Sequence, residues 1–94
     1  MSIEWTVLAA GDLDGVMEYV GRDDWPTAER VGREIVAAVS RLAAFPGLGR
    51  PGRVEGTREL IVPDIPYIVV YEVRGDRVCV LRLLHAAQAY PPQQ

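Results

Sequence analysis

The side chains best suited to chemistry in this sequence are Arg50, Arg53, Arg58, Arg82, the single histidine His85, Glu59 and Tyr90. Together they hold what metal-independent phosphodiester cleavage requires. Such a reaction needs a base for the attacking hydroxyl, cations against the strained phosphate, and an acid for the leaving oxygen. The arginines would supply the charge, and His85 with Tyr90 or Glu59 the proton transfer. Each residue also has a structural use. Arg58 and Arg82 can pair with Glu59, Glu72 or other strand carboxylates, an arrangement that contributes a fraction of a kcal/mol. A histidine at a strand end caps a carbonyl more often than it catalyses. Cys79, the single cysteine, sits in an apolar run and reads as a small buried hydrophobe. No metal site and no cofactor is expected.

Charge narrows the choice. The formal net charge is -3 and the pI about 5.0, which argues against a surface that binds nucleic acid over its whole extent. A local basic patch remains compatible with that balance. All ten basic residues are arginine, the better side chain for bidentate contacts to carboxylate or phosphate. At 94 residues the chain suits one compact domain, 1–94, with one hydrophobic core. It has no apolar run near the roughly 20 residues that cross a bilayer and no basic-then-apolar start, so no membrane association and a cytoplasmic location are expected.

The elements that must position these residues follow from periodicity. Ile3, Trp5 and Val7 alternate with Ser2, Glu4 and Thr6, predicting a short strand. Leu13, Val16, Met17 and Val20 form one stripe of a helix from about Ala9 to Gly21. Asp23, Asp24 and Pro26 signal the start of a second helix, whose stripe is Val31, Ile35, Ala38, Val39 and Leu42. Pro46-Gly47 ends it. Leu48 to Gly56 reads as a loop that exposes Arg50 and Arg53. Strands follow at Glu59–Val62, Tyr67–Val73 and Arg77–His85, with Gly75-Asp76 suited to a type II′ hairpin turn. Tyr67 and Tyr71 share a face and pack, and Trp5 and Trp25 read as packing residues. The fold class is α+β, an N-terminal strand and helical hairpin on a small antiparallel sheet. Val78 to Leu84 places apolar residues on both faces, so the face away from the helices needs a cover. The C-terminal segment, a second copy or a partner chain could supply it, or the strand is simply buried in a monomer.

Four segments in order resemble the signature of the RelE/ParE family of bacterial toxins. They are Gly49-Arg50-Pro51-Gly52-Arg53, Gly56-Thr57-Arg58-Glu59-Leu60, Pro66-Tyr67-Ile68-Val69-Val70-Tyr71, and Leu81-Arg82-Leu83-Leu84-His85-Ala86-Ala87-Gln88. The N-terminal half agrees with the family in pattern alone. The resemblance implies a cognate antitoxin as partner and one of two activities. RelE-like members cut messenger RNA on the ribosome, and here Arg58, Arg82 and His85 would be the catalytic residues. ParE-like members bind and poison DNA gyrase. The ribonuclease members tend to carry an arginine within the tyrosine-bearing strand, where this chain has Ile68, and lysines near the substrate, which this chain lacks. The resemblance is therefore to the ParE-like branch. Target binding is expected through Arg50, Arg53, Arg58, Arg82, His85, Gln88 and Tyr90. A member retained only as a regulatory binding module would be the third case.

Overall fold

A computed structural model describes residues 1–92. Chain order is β1 (Ser2–Trp5), α1 (Val7–Gly21), α2 (Trp25–Arg41), β2 (Arg50–Pro51), β3 (Arg58–Ile61), β4 (Tyr67–Arg74) and β5 (Arg77–His85). The helices begin where side chains satisfy free amides. Thr6 accepts from the Ala9 amide at the start of α1, and Asp24 accepts from the Thr27 amide ahead of Pro26 in α2. The Thr6 cap ends the alternating run early. Val7 therefore opens α1 and is 90% exposed, instead of facing inward from the first strand. The expected stripe of α2 is buried at Val31, Ile35, Ala38, Val39 and Leu42.

The strands order as β1-β5-β4-β3-β2. Pairing from β2 through β5 is antiparallel, but β1 lies parallel to β5, so the sheet is mixed. The helical hairpin is what carries the chain over the sheet and returns it to pair β1 with β5 in this sense. Arg50 and Pro51, expected within a loop, form the short edge strand β2 against Arg58 and Glu59. The β4–β5 turn is the two residues Gly75-Asp76, with Gly75 at φ +58, as a type II′ turn requires of its first central residue. Opposite Val70 and Tyr71 the register jumps from Arg82 to Val80, leaving Leu81 as a bulge.

The core lies between hairpin and sheet. Tyr67, Val69, Tyr71, Val78, Val80 and Leu83 join Ala9, Val31, Ile35 and Leu42 there, so the two tyrosines pack on one face as expected. Trp5 packs against this core, and Trp25, about half exposed at the start of α2, lays its ring against Gly21 at the helix entry. On the opposite face of the sheet, Ile68, Val70 and Leu84 are also buried, with Leu84 and Val70 fully so. Of the alternatives expected for that side, burial within the single chain is the one found over the centre of the sheet. Tyr90 in the C-terminal segment meets Arg53 of the β2–β3 loop, and Arg53 in turn bonds Glu59, the far-face neighbour of Val70. Ile61 and Val73 toward the ends of the strands stay exposed.

Candidate functional site

The β2–β3 loop is built by tight backbone contacts that only particular residues allow. The Gly52 amide bonds the Thr57 carbonyl at 2.8 Å, and the Thr57 hydroxyl donates to Val54. A side chain at Gly52 would collide with Thr57, so the glycine is a steric necessity there. This closed loop places Arg53 over Glu59. The Glu59 side chain is 1% exposed and accepts from four donor groups. These are the Arg53 amide at 2.8 Å, Arg53 Nε at 3.1 Å, Arg53 Nη2 at 3.1 Å and Arg50 Nη2 at 3.2 Å. Burial alone pushes the Glu59 carboxyl upward, but the bonds from Arg53 and then Arg50 outweigh it and hold the carboxyl below its usual range. It is charged at neutral pH. The Tyr90 ring lies 5.7 Å from the Arg53 guanidinium carbon, a cation-π contact on the outer side. Arg50 and Arg53 keep side-chain exposures of 53% and 37%, so both present surface to solvent while anchored from below.

Arg58 and Tyr71 hold the segment leading into this patch. Tyr71 is fully buried; its hydroxyl donates to the Pro46 carbonyl at 2.7 Å and accepts from the Gly49 amide at 2.9 Å. Arg58 Nη1 donates to the Gly49 carbonyl at 2.8 Å. Arg58 therefore pairs with neither Glu59 nor Glu72; Glu72 pairs with Arg74 instead. Gly49 fits because a Cβ there would come within 2.8 Å of the Tyr71 ring and 2.9 Å of the Glu59 carbonyl.

Arg82 is engaged elsewhere. Its Nε and Nη2 bond Asp12 of α1 at 2.8 and 3.2 Å, and the same carboxylate accepts from the Leu83 amide at 3.0 Å. The bond to Asp12 makes the Arg82 guanidinium still harder to deprotonate, against the opposing effect of burial. β1 ends opposite Val80, so the remaining edge of β5 would be unpaired. Thr6 takes the Leu81 carbonyl by its hydroxyl at 3.0 Å, and Asp12 takes the Leu83 amide. Sequence reasoning missed Asp12. The available signal was its place on the buried stripe, three residues after Ala9 and four before Val16.

His85 ends β5 opposite Tyr67, whose ring it meets edge-on with centroids 5.5 Å apart. Its Nδ1 accepts from the Ala87 amide at 3.1 Å, leaving Nε2 to carry the proton of the neutral ring. With Gly11, Gly15, Tyr19 and Gln88 it lines an open cleft of about 430 Å3 between α1 and the end of β5. Burial, then proximity to Tyr19, raises the Tyr67 phenol above its ordinary value. Arg50, Arg53 and Tyr90 thus come together, with Glu59 beneath them. His85 and Gln88 form a second group by the α1 cleft, while Arg58 and Arg82 are each tied into the scaffold. Arg58 aligns with Tyr71 and Arg82 with Val70, residues that point to opposite faces of β4. Among the described residues no group of three His, Cys, Asp or Glu able to hold a metal occurs, and no helix is long and apolar enough to cross a membrane.

Comparison with known proteins agrees with this geometry over nearly the whole chain. The family described as ParE toxin of type II toxin-antitoxin system, parDE, matches residues 3–90. The Sinorhizobium fredii protein named "Putative toxin Y4kP" is 45% identical over 89 residues, covering 95% of this chain and 92% of its own. "Toxin RelE2" of Caulobacter vibrioides is 33% identical over 86 residues, covering 92% and 96%. A solved chain of the chromosomal ParDE TA system from P. aeruginosa superposes with a TM-score of 0.82 at 33% identity, covering 90% of this chain and 95% of that one. The helical hairpin, the mixed sheet and the sequence match along residues 3–90 together show that this chain belongs to the ParE toxin family of type II toxin-antitoxin systems.

Proposed function

We propose that this toxin inhibits growth by binding a protein target, DNA gyrase by analogy with the ParE-like branch, through the patch formed by Arg50, Arg53 and Tyr90. One observation carries the reading: the two arginines a ribonuclease would need free for a phosphate are already engaged within the fold. Arg58 is bonded to the Gly49 carbonyl, Arg82 is paired with Asp12, and His85 faces the α1 cleft beside Tyr67. The patch suits protein recognition in charge as well. Two arginines over one buried carboxylate leave a net charge of about +1, which matches one acidic side chain better than a run of phosphates. Rigid aromatic and arginine surfaces are the usual centres of protein interfaces. His85 and Gln88 at the neighbouring cleft, with Arg58 and Arg82 as supports, complete the expected target-binding set.

A cognate antitoxin neutralises the toxin in this reading. Its candidate seat is the open groove between α1 and α2, lined by the apolar Leu13, Met17, Val36 and Ala37. A docked amphipathic segment would cover this surface. The test is induction of the toxin without antitoxin. We expect a DNA-damage response before messenger RNA is lost, graded loss of toxicity on substituting Arg50 and Arg53, and substantial toxicity in His85→Ala. Site-specific messenger cleavage within minutes, abolished by His85→Ala in a folded protein, would instead assign ribosome-dependent RNA cleavage. No growth inhibition at all would leave a regulatory binding module.

A further inference from the structure

We infer that Glu59 is a positioning residue of the target site, fixing the Arg50 and Arg53 guanidinium groups in one orientation for an acidic side chain of a protein partner. This rests on the proposed binding role of the two arginines. A carboxylate 1% exposed is unusual on a small sheet whose far-face neighbours are Val70 and Ile61. For the fold, its one backbone role is to accept the Arg53 amide; the row of side chains itself would take an apolar residue without any cost of burying charge. What Glu59 supplies is contact to Arg50 and Arg53, including three bonds to Arg53 through its Nε and Nη2, plus one from the Arg53 amide.

The consequence is preorganisation. A free arginine in a glycine-rich loop loses rotamer freedom on binding, at a cost of about 0.5–1.5 kcal/mol for each side chain immobilised. Here that ordering is already done before a partner arrives. Glu59 uses the inner edge of Arg53, Nε and Nη2, and the Tyr90 ring lies against its guanidinium carbon. Nη1 of both Arg50 and Arg53 is bonded to neither Glu59 oxygen. A carboxylate from a partner can approach each guanidinium from that side, and the partner's own charge finds the net positive remainder.

The experiment compares four proteins, wild type, E59Q, E59D and the R50A/R53A double variant, each checked for thermal unfolding. Binding to immobilised DNA gyrase is followed in real time, and growth inhibition is measured in parallel, which orders the variants whatever the target. E59Q raises the net positive charge, so association with an acidic partner should be as fast as or faster than wild type. Dissociation should be faster by about tenfold, since the amide keeps one acceptor oxygen but loses the charge and the second oxygen that fix the arginines. E59D keeps the charge but shortens the reach; its dissociation should also accelerate, which a charge effect alone would not produce. It also serves if E59Q fails to fold. In the free protein, the Arg53 Nε-H signal in NMR should be sharp in wild type and broadened in E59Q. Loss of binding and toxicity in R50A/R53A with wild-type dissociation in E59Q and E59D would overturn the role of Glu59 alone. Wild-type behaviour of R50A/R53A would overturn the arginine site and this inference with it.

Discussion

Replacing Tyr71 by phenylalanine removes one oxygen atom and tests how the arginine loop is held. The ring stays, so the packing against Val69 and the helices is kept and the vacated space is too small to hold a water without rearrangement. The hydroxyl, however, makes two bonds of different kinds. It donates to the Pro46 carbonyl at 2.7 Å and accepts from the Gly49 amide at 2.9 Å. Each such bond contributes about 1 kcal/mol net, and a buried amide left without an acceptor costs a further 1–3 kcal/mol or so. Arg58 still bonds the Gly49 carbonyl, so the segment cannot simply swing out to find water. The sum is a destabilisation of about 3–5 kcal/mol. For a domain of this size, that lowers the unfolding midpoint by about 15–25 °C. Urea unfolding followed by far-ultraviolet circular dichroism measures it directly, with an unchanged m-value confirming that the native state is still compact. A loss under about 0.5 kcal/mol would refute the reasoning, because it would mean that water already reaches the Gly49 amide. Toxicity measured at a temperature where the variant is folded should fall as well, since Gly49 leads directly into Arg50.

Other substitutions probe the remaining supports. Asp12→Ala unpairs Arg82 and leaves the Leu83 amide without an acceptor at a half-buried edge; a loss of about 1–3 kcal/mol in urea unfolding is expected. Asp12→Asn, which can still accept from the amide, should lose less. Val7→Ser should change stability by under about 0.5 kcal/mol, because Val7 is exposed at the first turn of α1; a large loss would restore it to the buried strand. Glu59 makes stability depend on acid. Its carboxyl is held lower in the native state than its ordinary value near 4.5, so its contribution is present above that value and lost as pH falls through the native one. The difference in urea midpoint between wild type and E59Q should therefore shrink from neutral pH to pH 4 and below, and a constant difference would contradict the lowered carboxyl.

Much of the architecture was fixed by local rules legible in the sequence. Asp24 before Pro26, the stripe from Val31 to Leu42 and the Gly75-Asp76 turn each act over a few residues, and each appears where pattern places it. The RelE/ParE resemblance lay in ordered short segments of the same kind. The departures came where two local signals competed or where a partner was distant in sequence. Val7 continued an alternating pattern, but Thr6 could cap a helix, and the cap prevailed. The parallel placement of β1 depends on the path of the whole hairpin, which no single window of sequence encodes. The arginines show the same division. Their presence, and the exposure of Arg50 and Arg53, could be read directly, although Arg50 lies in the edge strand β2 and not in the loop. Which carboxylate or carbonyl each would find could not, since Arg82 meets Asp12 across 70 positions and Arg58 reaches back to the Gly49 carbonyl. Hydrogen bonds are satisfied by whatever folding brings within about 3 Å, and for these side chains only the closed sheet with its hairpin determines that.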